Sequence, residues 1–170
     1  MHPRFVLSPD GQALIEGCEI YSSRACTCRS GRRVIGFGHV IKPHEGHLHT
    51  ATLTLNEARA LLREDAAAVQ IYLNGTLGGA GLRQYHFDAL VSFCLDVGLG
   101  AFDRSNMRVR LRFGDKAGAA GEFDKWVFFR GARLPELVIR RRCERLMFDG
   151  VSGPGVEAER RRLQSMKGPL

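Results

Sequence analysis

Apolar residues near the start of the chain follow a helical period. Residues 9–20, "PDGQALIEGCEI", have apolar positions at Ala13, Leu14, Ile15, Cys18 and Ile20. This spacing predicts a short amphipathic helix. From residue 21 to residue 39 the chain is rich in glycine, serine and β-forming residues, which predicts a hairpin or small sheet. The next stretch, "KPHEGHLHT", predicts a loop.

Longer patterns of helical period fill the rest of the chain. Thr54 suits an N-cap, and Glu57 three residues later completes a capping box. A helix is therefore predicted over "LNEARALLREDAAAVQIYL", with "NGTLGGAG" as its stop. "RQYHFDALVSFCLDVG" is apolar on most faces and predicts a central helix. Further helices are predicted in "RSNMRVRLRFG", "KAGAAGEFDKWVFF" and "LPELVIRRRCERLMF", and the tail "VEAERRRLQSM" fits either a last polar helix or a frayed end.

The order of these elements predicts an α+β fold. A small β-containing N-terminal lobe precedes a mainly helical C-terminal lobe, and we expect a cleft between them. A chain of 170 residues suits one domain. We place the small lobe at about 14–55, the helical lobe at about 56–150 and a C-terminal extension at 151–170.

Composition narrows the class of protein. Hydrophobic residues make up 44% of the chain and charged residues 25%, as in an ordinary globular protein. No apolar run reaches the length of a membrane span, and no export signal is visible. The net charge of +7 favours a polyanionic partner such as nucleic acid, anionic membrane or bacterial wall, or is simply a solvated basic surface. Five cysteines without an export signal favour reduced thiols, and the apolar surroundings of Cys94 and Cys143 predict core positions.

Two other chemistries have some support in the sequence. Cysteine and histidine side chains that suit zinc lie within 24 residues of one another: Cys26, Cys28, His39, His44, His47 and His49. "CTC" followed by "HEGHLH" is not a standard zinc spacing, so we predict no metal and no cofactor. The arginine runs "RVRLRFG" and "IRRRCER" lack a module of stacking aromatic residues, so we predict no specific nucleic-acid partner.

Six motifs occur in order between Leu14 and Phe148: "VIGFGH", "LTLNEARALLREDAA", "HFDALVSFCLDVG", "GAFDRSNM", "EFDKWV" and "LVIRRRCERLMF". Their order and spacing resemble the phage-type lysozymes, the endolysins that cleave peptidoglycan. The resemblance implies a lysozyme-like fold and a muramidase that hydrolyses the β-1,4 bond between N-acetylmuramic acid and N-acetylglucosamine. We expect a monomer that acts on peptidoglycan glycan strands, made in a bacterial host's cytoplasm and acting at the periplasmic wall.

The catalytic pattern of this family is a Glu, an Asp nine residues later, and a Thr six residues after that, which leads into a "TIGYGH"-like turn. Counting back from "VIGFGH" without a gap puts Val34 at the Thr position, Cys28 at the Asp position and Glu19 at the Glu position. Gly31 falls at the hairpin glycine of the family. The alternative acid, Glu16, requires three inserted residues.

The resemblance makes Glu19 the proton donor to the leaving oxygen. The Asp and Thr of the family position a water on the opposite sugar face, and Val34 has no hydroxyl for that task. Cys28 is followed by arginines that favour a thiolate. Two interpretations of Cys28 stay open: a thiolate that assists catalysis, or a small residue without a role. The chain is accordingly either an impaired muramidase or an inactive glycan- or protein-binding domain.

Other departures from the family pattern fall at the predicted cleft. Asp96 replaces a usual Asn, and Asn106 in "SNM" replaces the threonine of "STL". We predict substrate contacts for Asp96, Asn106 and Arg141, although Asp96 has another potential partner in an arginine of residues 140–142. We predict structural roles at the cleft for Gly31, Val34 and His39.

Overall fold

The computed structural model describes residues 4–166, which form eight α-helices and five short strands. In chain order these are α1 Pro9–Cys18, β1 Ser22–Thr27, β2 Arg33–Gly36, β3 His39–Val40, α2 Leu55–Leu77, α3 Gln84–Val97, α4 Leu99–Asp103, α5 Asn106–Arg112, α6 Lys116–Glu122, β4 Phe128–Phe129, β5 Ala132–Arg133, α7 Pro135–Phe148 and α8 Gly153–Ser165. Two 3₁₀ segments cover Pro43–His49 and Phe123–Lys125. The predicted α+β class is confirmed. None of the helices within residues 4–166 combines the length and the apolar character that a membrane span requires.

The chain divides into two compact units. Residues 19–68 form a β unit, and the described residues before and after them form a helical unit. These boundaries differ from those expected from the sequence, because α1 and α8 both belong to the helical unit. Leu14 and Ile15 of α1 are buried, and α1 packs against α3, α7 and α8. The apolar face of α1 therefore determines where this helix belongs.

The β unit is built on an antiparallel sheet of order β1-β2-β3, which confirms the predicted small sheet. Cys26 pairs with Val34, and Val34 pairs with Val40 on its other side. The β1–β2 turn is closed by two backbone hydrogen bonds, from Cys28 N to the Arg32 carbonyl and from Gly31 N to the Cys28 carbonyl, each 2.9 Å. Gly31 has φ +85°, which glycine adopts without strain.

The segment predicted as a loop after His39 contains the first 3₁₀ segment instead. Pro43 occupies its first turn, where a missing N–H costs no hydrogen bond. The Glu45 carboxylate accepts a 2.8 Å hydrogen bond from Lys42 N. The sequence prediction missed this local cap.

Helix α2 begins at the predicted capping box. Glu57 N donates to Thr54 Oγ1 at 3.3 Å, and Thr54 N donates to the Glu57 carboxylate at 2.7 Å. The helix ends inside the predicted stop "NGTLGGAG", but at Leu77 and not at the start of that stretch. The Asn74 side chain bonds both the N–H and the carbonyl of Phe5 at 2.9 Å, and Leu77 is buried. These contacts carry the helix through a sequence that otherwise favours a turn.

The core of the helical unit is centred on α3, whose residues 86–94 are all buried. This confirms the predicted central helix. The ring of Phe93 lies within 6.5 Å, between centroids, of three other rings: Phe102, Phe123 and Trp126. Cys94 and Cys143 are buried as predicted, and all five cysteines are free thiols. The tail forms helix α8.

A second hairpin, β4–β5, was not predicted. The stretch "KAGAAGEFDKWVFF" was expected to be one helix, but α6 ends at Glu122. Phe129 pairs with Ala132 across a two-residue turn of Arg130 and Gly131, both with positive φ. A turn of this kind matches the twist of a tight hairpin.

Candidate active site

Glu19 lies directly after the C-terminal residue of α1, with a half-buried side chain. The glycine turn of "VIGFGH" approaches its carboxylate closely. Gly38 has φ +85°, and a Cβ built on it would lie 3.3 Å from Glu19 Oε2. Glu16 lies within α1, where it accepts a 2.7 Å hydrogen bond from Gln12 Nε2. The geometry therefore brings Glu19 to the turn that marks this site in the sequence.

Cys28 lies in the β1–β2 turn and is half-exposed. Its Sγ is 3.1 Å from Ser30 Oγ, which in turn accepts a 3.1 Å hydrogen bond from Arg32 Nε. The hydrogen bond from the Ser30 hydroxyl lowers the pKa of the Cys28 thiol, aided by the backbone amides of Ser30 and Arg32 and, least, by the charge of Arg32. Hydrogen bonds thus stabilise the thiolate more than the arginine charges invoked from the sequence.

Removing the Ser30 hydroxyl should make Cys28 less reactive at neutral pH. Because thiolates and not thiols attack alkylating reagents, Ser30→Ala should slow iodoacetamide labelling of Cys28 by about two- to tenfold at pH 7. Peptide mass spectrometry would measure this rate, with Cys26 in the same chain as internal reference. At a pH where Cys28 is fully ionised, the two proteins should react equally fast. A difference that persists there would show that access to Cys28 had changed instead of its pKa.

Val34 and Gly31 contribute no polar side chain to the site. Val34 is buried in the middle strand of the sheet and is only 9% exposed. Gly31 is exposed, and a Cβ on it would meet nothing within 4 Å. The backbone conformation of Gly31, and not tight packing, accounts for a glycine at this position.

His39 is 2% exposed and lies between two carboxylates. Its Nδ1 is 2.9 Å from Asp65, and its Nε2 is 3.0 Å from Glu45. Carboxylates only accept hydrogen bonds, so both contacts form when both ring nitrogens carry hydrogen. The Lys42 N–H, together with His39, lowers the pKa of Glu45 to about 2. We call Glu45, His39 and Asp65 the histidine clamp; it holds the 3₁₀ segment to α2 within the β unit.

Asp96 and Arg141 meet in the helical unit. Arg141 forms ion pairs with Asp96 and Glu144 and donates a 3.1 Å hydrogen bond from Nε to the Trp126 carbonyl. Its guanidinium lies 4.8 Å from the centroid of the Phe93 ring. Because Arg141 is only 1% exposed, we assign it to the core of this unit instead of the substrate contact predicted from the sequence.

The remaining predicted contacts have different surroundings. Asp96 pairs with Arg141 and, at 3.7 Å, with Arg140. An arginine of residues 140–142 is the other partner that the sequence offers for Asp96. Asn106 is the first residue of α5 and is exposed, so a substrate contact there stays a prediction. Within residues 4–166, no group of three or more cysteine, histidine or acidic side chains is arranged to hold a metal ion.

Comparison with known proteins identifies the family. The phage lysozyme family model matches residues 14–144. An endolysin of Acyrthosiphon pisum secondary endosymbiont phage 1 is 35% identical over 147 residues, which cover 84% of this chain and 97% of the relative. The solved muramidase domain of SpmX from Asticaccaulis excentricus is 35% identical with a TM-score of 0.75, covering 85% of this chain and 98% of that one. A mutant P22 lysozyme gives 26% identity and a TM-score of 0.73 over 85% and 98% of the two chains.

The chain belongs to the phage lysozyme family. Its function is that of a peptidoglycan-degrading lysozyme, a glycoside hydrolase. The lysozyme-like fold predicted from the six sequence motifs is confirmed.

Proposed function

We propose that the chain is a muramidase of low turnover, with Glu19 as general acid for the β-1,4 bond between N-acetylmuramic acid and N-acetylglucosamine. The close approach of Gly38 to the Glu19 carboxylate, where a Cβ on Gly38 would lie 3.3 Å from Glu19 Oε2, carries this proposal. It supports Glu19, and not Glu16, as the acid of the family pattern. The half-buried position of Glu19 limits its access to water while leaving it open to substrate.

The proposed mechanism separates two tasks. Glu19 protonates the oxygen of the leaving sugar, and a water attacks the anomeric carbon from the opposite face. Cys28 and Val34 occupy the positions that direct this water in the family. Val34 offers only methyl groups there, and Cys28 offers a thiol whose pKa is lowered. A thiolate at Cys28 supplies a negative charge near the oxocarbenium-like transition state, but its sulfur accepts hydrogen bonds weakly.

The setting of this reaction is also a proposal. The partner is the glycan strand of peptidoglycan, and the protein works as a monomer without specific nucleic-acid binding. It is made in the cytoplasm of a bacterial host and acts at the periplasmic wall. The net charge of +7 supports attraction to an anionic wall.

A second candidate function is binding of glycan or protein without cleavage. The loss of both water-directing residues, at Cys28 and Val34, favours it, because general base catalysis typically contributes about 10²–10⁴-fold.

Glu19→Gln should lower muropeptide release from purified sacculi by about 10²-fold or more, since an amide cannot donate the proton. Glu16→Gln is the matched control three residues earlier and should stay within about twofold of the unaltered protein. Turbidity of chloroform-permeabilised Gram-negative cells gives a second readout. If Glu16→Gln removes activity and Glu19→Gln does not, Glu19 is not the acid.

Retention on sacculi separates the two candidate functions. Glu19→Gln should still sediment with sacculi, and less so at high salt, which screens the basic charge. Unaltered protein that sediments with sacculi but releases no muropeptides would establish the binding function. Unaltered protein that neither binds nor cleaves would exclude both candidates.

A further inference from the structure

The β4–β5 hairpin exposes an aromatic ring that the muramidase function does not use. Phe128 is 59% exposed. We call residues 126–134, "WVFFRGARL", the aromatic–arginine hairpin. It contains two arginines, Arg130 and Arg133, both exposed, and no acidic residue.

The strand register orders these side chains on the two faces of the hairpin. Phe128 pairs with Arg133 and Phe129 pairs with Ala132. Directly paired residues of an antiparallel ribbon project to the same face, so Phe128 and Arg133 share one exposed face. On the other face, the Arg130 guanidinium lies 5.4 Å from the centroid of the half-buried Phe129 ring. The hairpin therefore presents an exposed ring beside Arg133 on one face, and Arg130 over Phe129 on the other.

These two cations have no ion-pair partner within residues 4–166. Two arginines of α5, by contrast, are paired: Arg108 lies 3.0 Å from Asp103, and Arg110 lies 2.6 Å from Asp115. The positive charge of the hairpin is therefore not neutralised by neighbouring side chains and is directed to solvent.

The hairpin has a rigid base and an unusual turn. Val127 is buried, and Leu134 N donates a 2.9 Å hydrogen bond to its carbonyl. The preceding carbonyl, of Trp126, accepts a hydrogen bond from Arg141. Arg130 has φ +50°, a position where a hairpin turn normally takes asparagine, aspartate or glycine. An arginine there is unfavourable for the backbone, which points to a use for its side chain.

We propose that the aromatic–arginine hairpin docks the protein on an anionic lipid bilayer. Phenylalanine side chains of interfacial segments are buried at the boundary between headgroups and acyl chains, and arginines beside them are attracted to anionic lipid headgroups. The exposed ring and the two arginines lie on a two-stranded hairpin, and a planar bilayer needs no groove to contact them. The charge of the tip is complementary to anionic lipid. Docking is independent of the glycosidase reaction.

Vesicle flotation with the full chain tests this proposal. Vesicles of phosphatidylcholine mixed with an equal part of phosphatidylglycerol should bind the protein at low salt, and vesicles of phosphatidylcholine alone should bind at least tenfold more weakly. Phe128→Ser should weaken binding about tenfold through loss of the inserted ring. Arg130→Asn, which suits the turn, and Arg133→Ser should each weaken it about fivefold.

Phe113→Ser is the matched control, because Phe113 is 86% exposed at the end of α5, outside the hairpin. It should leave vesicle binding within about twofold. Thermal melting should show that every variant is folded, since the altered side chains are exposed. Equal losses in Phe113→Ser and Phe128→Ser, or no loss in Phe128→Ser, would overturn the proposal. So would hairpin variants that lose retention on sacculi while keeping vesicle binding, because the hairpin would then face the wall.

Discussion

The double variant Cys28→Asp, Val34→Thr is expected to release muropeptides about 10²–10⁴-fold faster than the unaltered protein, the range that general base catalysis typically contributes. Aspartate restores a carboxylate that accepts a proton from water, and threonine restores the hydroxyl that orients it. Because the two groups act on one water, the double variant should gain more than the single variants combined. Rates from the two singles, the double and the unaltered protein would measure this coupling.

The two altered positions differ in their surroundings. Cys28 is half-exposed in a turn, so a carboxylate there stays solvated. Threonine nearly matches the shape of Val34, but Val34 is buried, so the added hydroxyl is expected to destabilise the protein more than the new carboxylate does. Cys26→Asp is the matched control, because it adds the same charge to an exposed cysteine of the same hairpin. It should not raise the rate.

Two results would contradict this account of low turnover. A folded double variant no faster than the unaltered protein would mean that the binding surface for the sugar has changed, and the binding function would then be favoured. Unaltered protein already as fast as the double variant would mean that the Cys28 thiolate performs the task of the lost residues.

His39→Gln should destabilise the protein by about 2–4 kcal/mol, slightly less than the usual effect of breaking a fully buried charged pair. Glutamine cannot contact Asp65 and Glu45 on opposite sides as the two ring nitrogens of His39 do. For a chain of this size the loss corresponds to a fall in Tm of about 5–15 °C, measured by calorimetry. His44→Gln is the control, because His44 is mostly exposed and lies 3.9 Å from Glu45; its effect should stay within about 0.5 kcal/mol.

The pH dependence of stability provides a further check on the histidine clamp. The pKa of Glu45 falls from 4.5 to about 2 in the folded protein. Its stabilising contribution is therefore present above pH 4.5 and is lost as the pH falls towards 2. His39→Gln should flatten this acid limb without removing it, because the Lys42 N–H, the larger cause, remains. An unchanged acid limb would show that His39 does not stabilise the Glu45 carboxylate.

Local signals made much of the fold predictable from the sequence. The Thr54 capping box and the apolar run of α3 depend on residues close together in the chain, and both elements lie where they were expected. The end of α2 depends on hydrogen bonds between Asn74 and Phe5, 69 residues apart. No local pattern contains such a contact.

In the candidate site, too, local signals are predictable from the sequence and contacts between distant residues are not. The spacing of Glu19, Cys28 and Val34 can be read from the sequence alone. The structure is consistent with the choice of Glu19, because Gly38 lies beside its carboxylate. The sequence did not predict Ser30 as the main stabiliser of the Cys28 thiolate, because the conformation of the turn decides which neighbouring side chain bonds the sulfur. The burial of Arg141 depends on Asp96, 45 residues away, so the arginine run gave no indication of which member enters the core.

The burial of Arg141 also restricts how this protein can be recombined with its relatives. One side chain bonds α3 through Asp96, α7 through Glu144 and the base of the aromatic–arginine hairpin through the Trp126 carbonyl. A chimera that exchanges α7 alone would keep Arg141 with Glu144 but would separate it from Asp96 of α3. Crossover points outside residues 96–144 keep these partners together, so that segment should be exchanged as a single block in family shuffling.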